Sequence, residues 1–180
     1  MKREKVFLRS MEYRSRMAAE MGIRKPPFGI PEIMNFQQNR YPLLFIDEIM
    51  DVVPGKFARG KKAFSYNEWY FPAHFEGDPN VPGFIQIESL VQVFLMTFLT
   101  LEGHAGQKTS FVKLDNATFK RKLIPGETLN IYAELETFKR GIAKGFAESD
   151  VNGEPAISAS FTIAIPEILA KYSPSGNNLK

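Results

Sequence analysis

The sequence predicts an α+β domain in which one antiparallel sheet wraps around one long helix. Three observations lead there. Residues 84–101 are apolar on nearly every side, so a helix there must be enclosed by the rest of the chain. Everything after them up to residue 165 reads as strands separated by turn signals. Before them stands a single hairpin, so all strands belong to one sheet against one helix.

The elements follow in order. Residues 2–21 read as an amphipathic helix, with Phe7, Met11, Ala18 and Met21 near one face and Gly22 as a stop. Lys25-Pro26-Pro27, Gly29 and Pro31 form a breaker cluster. The organisation expected is a helical extension over 1–30, a folded domain over 31–170 and a disordered tail over 171–180. A short helix is expected at about 31–37. Leu43 to Val53 reads as a strand, Pro54-Gly55 as a turn, and Lys56 to Phe64 as the returning strand. Residues 67–83 form a loop rich in aromatics, Pro and Gly. Further strands are expected over Ser110–Lys120, Thr128–Phe138, Ile142–Val151 and Pro155–Ile165, the last two joined at Asn152-Gly153. The order reads as a three- to four-stranded meander after the helix.

Composition narrows the chemistry. With no cysteine among 180 residues, disulfides, cysteine nucleophiles and thiolate metal sites are excluded. Two histidines, His74 and His104, are too few for a multi-histidine metal cluster. The apolar run is broken by Gln86, Glu88, Ser89 and Gln92, so it reads as a buried helix and not a membrane span. The 16 phenylalanines imply a thick core or an apolar ligand tunnel. The net charge of +3 is uneven: residues 1–25 hold eight basic and three acidic side chains, and the remainder holds 15 and 17. The body is therefore slightly acidic, which argues against a nucleic-acid surface. The basic start shares features with transit peptides, but Glu4, Glu12 and Glu20 argue against one.

The chemistry concentrates between Phe71 and Gln92. His74 sits in a loop stiffened by Gly77, Pro79, Pro82 and Gly83, and the loop feeds straight into the enclosed helix. Pro82-Gly83 brings bare backbone to the helix start, where free N–H groups favour a developing negative charge. Glu88 lies in the second turn of an apolar helix, where burial raises a carboxyl pKa and makes it a proton donor. Gln92 is four residues on, on the same face. One base, one acid and one oxyanion site suit proton abstraction beside a carbonyl followed by loss of a protonated group. His104, after the helix, reads as a plain C-terminal electrostatic partner.

The run His74-Phe75-x-Gly77-x-Pro79-x-x-Pro82-Gly83 with Glu88 and Gln92 resembles the signature of the 3-hydroxyacyl-[acyl-carrier-protein] dehydratases of type II fatty acid synthesis. Asn39-Arg40-Tyr41-Pro42 resembles that family's opening motif. Phe119-Lys120-Arg121-x-Leu123-x-Pro125-Gly126-Glu127 is similar to its segment after the central helix. The resemblance implies a hot-dog fold and a cytoplasmic homodimer, or a trimer of such dimers, with one continuous sheet and sites shared between subunits. It implies His74 as base, Glu88 as acid from the other chain, and Gly83 and Phe84 at the oxyanion and substrate site. Gln92 would fix Glu88 from behind, and no metal or redox cofactor is implied. It also implies an acidic acyl carrier protein as partner, for which Lys120, Arg121 and Lys122 are the docking candidates and the basic segment over residues 1–25 is the rival location. Three positions depart from the pattern. Asn39 stands where a histidine is usual, with little expected loss. Ala73 replaces a glycine, and Glu76 replaces a proline and would raise the His74 pKa if it faced the site. Asp78 resembles a branch that also isomerises the double bond, although that branch has Asp in place of Glu88. The rival readings are a coenzyme A thioester dehydratase, a dehydratase–isomerase, and a non-catalytic acyl-binding subunit.

Overall fold

The computed structural model describes residues 27–172. The expected helix at 2–21 and the final eight residues lie outside them. The elements are α1 (Ile30–Phe36), β1 (Glu48–Val53), β2 (Phe57–Ala63), α2 (Gly83–Leu99), β3 (Ser110–Phe119), β4 (Thr128–Lys139), β5 (Ile142–Val151), β6 (Glu154–Ala164) and α3 (Pro166–Ala170). Six antiparallel strands form one sheet in the order β1-β2-β4-β5-β6-β3. This is the hot-dog arrangement, with α2 as the enclosed helix.

Every residue of α2 from Ser89 to Leu99 is buried. A helix so enclosed can hold polar side chains only if they are satisfied internally. The Ser89, Thr97 and Thr100 hydroxyls do this by donating to the carbonyls of Ile85, Phe94 and Met96 (2.7–2.8 Å). Phe45, Phe64, Phe71, Phe94, Phe98 and Phe161 are all in the core, so much of the phenylalanine content is core packing.

Two glycines let the sheet close on the helix. A Cβ on Gly60 would lie 2.8 Å from Val93 Cγ2, and one on Gly145 only 2.0 Å from the Glu134 carbonyl oxygen and 2.6 Å from Phe94 Cε2. The obstruction at Gly145 is backbone in the neighbouring strand and cannot swing away. Gly145→Ala should therefore cost about 3 kcal/mol or more, read as a fall in the urea midpoint; an unchanged midpoint would show that β4 and β5 can part there.

Several expectations are corrected. The strand starts later than expected: backbone groups of Leu43, Phe45 and Ile46 are bonded by the Gln92 side chain, and the ladder to β2 begins only with the Asp47 N–H on the Lys61 carbonyl (2.9 Å). Of the strands after α2, β4, β5 and β6 form a three-stranded meander as expected, and β3 stands apart from it by pairing with β6 at the sheet edge. Phe64 and Gly126 explain this: Gly126 N–H donates to the Phe64 carbonyl (2.7 Å) and Phe64 N–H to the Glu127 carbonyl (2.9 Å), drawing the chain across to β2. Phe28 exchanges two backbone hydrogen bonds with Ile49 (2.9 and 3.0 Å), which ties the segment before α1 to β1. At the other end Lys171 and Tyr172 are still bonded to Ile168 and Leu169. No helix among the described residues is long and apolar enough to cross a membrane.

Candidate active site

The loop that carries His74 is anchored before it reaches the site. Tyr70 and Phe71 are buried, and the buried Lys62 of β2 pairs with Glu68. Beyond them the loop folds on itself: Asn80 N–H donates to the His74 carbonyl (2.8 Å), and His74 Nδ1 lies 3.0 Å from the Asn80 carbonyl oxygen. A carbonyl can only accept, so Nδ1 donates, and in the neutral ring this tautomer offers Nε2 as the acceptor that a base needs. The imidazole stacks on Phe75 with ring centroids 4.1 Å apart. Glu76 is exposed, and the group that holds the ring is the Asn80 carbonyl.

Val81 N–H donates to the Leu123 carbonyl (2.9 Å), fixing the approach to α2. Pro82 precedes the first helical residue and no side chain caps it. Ile85 and Gln86 N–H groups both turn to the Pro82 carbonyl (3.1 and 3.2 Å). The N–H groups of Gly83 and Phe84 stand ahead of this bonded turn, the position from which helix starts bind anionic oxygen. The Phe119 ring roofs Gly83, since a Cβ there would meet Phe119 Cζ at 3.1 Å.

One turn further, Glu88 faces a cavity of about 360 Å³ lined by Asn39, Leu43, Phe45, Phe84 and Ile87. Burial pushes its carboxyl above the ordinary range, and hydrogen bonds from Gln92 and Asn39 pull back against that. Gln92 is fully buried and fully satisfied. Its Nε2 donates to Glu88 Oε1 (2.8 Å) and to the Leu43 carbonyl (2.6 Å), while its Oε1 accepts from Phe45 N–H (2.9 Å). Asn39 Nδ2 donates to the same Glu88 oxygen at 3.3 Å.

The structure thus gathers Glu88 and Phe84 around one cavity, with Gln92 buried behind Glu88 and Gly83 next to Phe84 at the helix start. His74 does not line that cavity, and among the described residues no hydrogen bond joins it to Glu88. Sequence reasoning missed Asn39 as a Glu88 partner and the Asn80 carbonyl as the holder of His74; no local pattern marks either. Of the basic run, Arg121 is engaged by Glu127 (2.6 Å) and Glu154 (3.2 Å), and Lys122 by Asp78. Lys120 is exposed and has no salt-bridge partner among the described residues. His104 bonds Gln107 (2.9 Å) and packs edge-on against Phe138, away from these groups.

A FabA-like domain model matches residues 38–160. The 3-hydroxyacyl-[acyl-carrier-protein] dehydratase FabZ of Chloroflexus aggregans is 41% identical over 139 residues, covering 77% of this chain and 96% of the relative. The protein of the same name from Clostridium acetobutylicum is 38% identical over 139 residues, covering 76% and 97%. Among solved structures, the dehydratase heterocomplex ApeI:P from Xenorhabdus doucetiae superposes with a TM-score of 0.65 at 13% identity, covering 74% of this chain and 90% of its own. At that identity the structural likeness speaks for the fold alone.

Proposed function

Since the chain belongs to the FabA-like domain family, we propose that it removes water from 3-hydroxyacyl thioesters to give trans-2-enoyl thioesters. It is a 3-hydroxyacyl-[acyl-carrier-protein] dehydratase, a hydro-lyase of fatty acid synthesis acting in the cytoplasm on substrate held by acyl carrier protein. The observation that carries the reading is the Glu88 carboxyl, held with a raised pKa at the wall of a small apolar cavity beside free helix N–H groups.

In the reaction, the thioester carbonyl oxygen accepts hydrogen bonds from the Gly83 and Phe84 N–H groups. His74 Nε2 takes the α-proton. The electron pair left on Cα forms the double bond as the Cβ–O bond breaks, and the departing hydroxyl takes the Glu88 proton and leaves as water. The proton on His74 then returns to Glu88 through solvent. These steps need no metal or redox cofactor. The active form is a homodimer in which His74 of one copy faces Glu88 of the other. Two observations support this: His74 is not among the residues that line the Glu88 cavity, and among the described residues no further strand pairs with the outer edge of β3. The pairing of Asp78 with Lys122 gives no support to the isomerase reading, because it turns that carboxylate toward the surface.

The carrier docks at the basic run beside the site, with Lys120, Arg121 and Lys122 as its candidates. Lys120 is the cleanest probe, since Arg121 is committed to Glu127 and Glu154. The wild-type protein should consume the enoyl absorbance of both crotonyl-carrier protein and crotonyl-pantetheine; inertness toward both would sink the dehydratase reading. Lys120→Glu should raise KM for the carrier-linked substrate alone, by roughly 3- to 10-fold at low salt, with the effect fading as screening increases. An equal rise for the pantetheine substrate would place the docking surface elsewhere.

A further inference from the structure

The two oxygens of Glu88 are treated unequally. Oε1 receives two amide donors, Gln92 Nε2 at 2.8 Å and Asn39 Nδ2 at 3.3 Å. Among the described residues no hydrogen bond reaches Oε2, although the carboxyl lines the cavity. An amide N–H can only donate. An oxygen that holds two such donors must accept from both, so the proton of the neutral carboxyl is confined to the other oxygen.

Building on the dehydratase reading, we propose that Asn39 is a positioning residue that, together with Gln92, fixes the acidic proton of Glu88 on Oε2, toward the departing hydroxyl. Gln92 could orient the carboxyl but is carried by the same helix as Glu88. Asn39 grips it from a separate segment, the one that follows α1. The guanidinium of Arg40 pins that segment by donating to the carbonyls of Met34, Gln37 and Asn39 (2.8–3.0 Å). The carboxyl is therefore held from two elements, and rotation that would exchange its oxygens must break bonds to both. An asparagine also has no titration of its own, so its donor is present at every working pH.

The expected pH behaviour follows from the same bonds. Amide donors stabilise the carboxylate and lower the pKa that burial raises. Removing Asn39 therefore lets the Glu88 pKa climb further. The side chains facing Glu88 from α2 and from the 39–46 segment are Asn39, Leu43, Phe45, Phe84, Ile87 and Gln92, and none of them titrates. The proposed dimer adds one titratable group, His74 of the second copy.

The test uses the full chain with Asn39→Leu, Asn39→Asp and Asn39→His. The Leu variant should lose about tenfold in kcat, the scale of one lost hydrogen bond in the transition state, with KM within about twofold and the thermal midpoint unchanged. The alkaline limb of its kcat profile should move to higher pH. The Asp variant, which has no donor when ionised and adds a like charge, should move that limb further. The His variant, with a ring N–H to offer, should recover most of kcat above the pH at which the ring loses its charge. Titration of carbon-labelled glutamate carboxyls by NMR reads the Glu88 midpoint without any turnover and should show the same upward shift. If the carboxyl midpoint and the alkaline limb stay put in both the Leu and Asp variants, Asn39 merely packs there and the proposal falls, whatever happens to kcat. A wild type inert to enoyl thioesters overturns the dehydratase reading instead, and the carboxyl titration still decides the role of Asn39.

Discussion

His74→Ala and Glu88→Gln should each lower kcat for dehydration by about 10²- to 10⁴-fold, the span usual for a general base or acid. Both substitutions leave the fold intact for identifiable reasons. The His74 ring is half-buried and bonds a loop carbonyl, its one hydrogen-bond partner among the described residues, while the backbone bond from Asn80 to residue 74 survives the change. Glutamine at 88 keeps an oxygen for Gln92 and Asn39 but has no proton to release. The informative experiment is to mix the two variants. In a heterodimer one of the two shared sites keeps both groups, so about half of the wild-type activity per heterodimer should return. Verified heterodimers with no recovery would mean that base and acid do not come from different chains. Near-normal turnover in both single variants would mean that the roles are wrongly assigned.

Gln92→Leu should damage stability and catalysis together. Leucine is similar in bulk but leaves the buried Phe45 N–H and the part-buried Leu43 carbonyl without the glutamine, at about 1–3 kcal/mol for the first and about 1 for the second. A total of about 2–4 kcal/mol corresponds to a fall of roughly 5–15 °C in Tm for a chain of this size. Activity should fall as well, because Glu88 loses the shorter of its two amide bonds. Differential scanning calorimetry separates this from the Asn39 variants, whose midpoints should hold. A Gln92→Leu protein as stable as wild type would show that the 43–46 segment finds other partners.

These residues also mark the limits of what could be read from the chain alone. The enclosed helix was legible because no amphipathic face is left in residues 84–101, and Glu88 and Gln92 stood out against that background at helical spacing. The 43–47 segment misled because its apolar pattern fits a strand. What decides its conformation is a glutamine nearly fifty residues away that takes its backbone bonds. The placement of β3 was hidden for a similar reason. Turn residues at 125–126 announce a reversal, but only the ladder between Phe64 and Glu127 says that the chain crosses the sheet. Local chemistry was visible in the sequence, whereas partners set by long-range contact were not. Asn39 is the clearest case, since its meaning lies wholly in the carboxyl that it touches.

The two edges of the sheet differ in a way that bears on solubility. The outer side of β1 is partly occupied by Phe28, whereas β3 runs for ten residues at the other edge. It carries exposed Phe111, Val112, Leu114 and Phe119, with Lys113 as its only positive gatekeeper. A long apolar edge is a template for whatever strand meets it first. Self-pairing at that edge, as in the proposed dimer, would do more than assemble catalytic groups. It would cover an apolar stretch that is a hazard for aggregation, and newly made subunits would be vulnerable until they find one another.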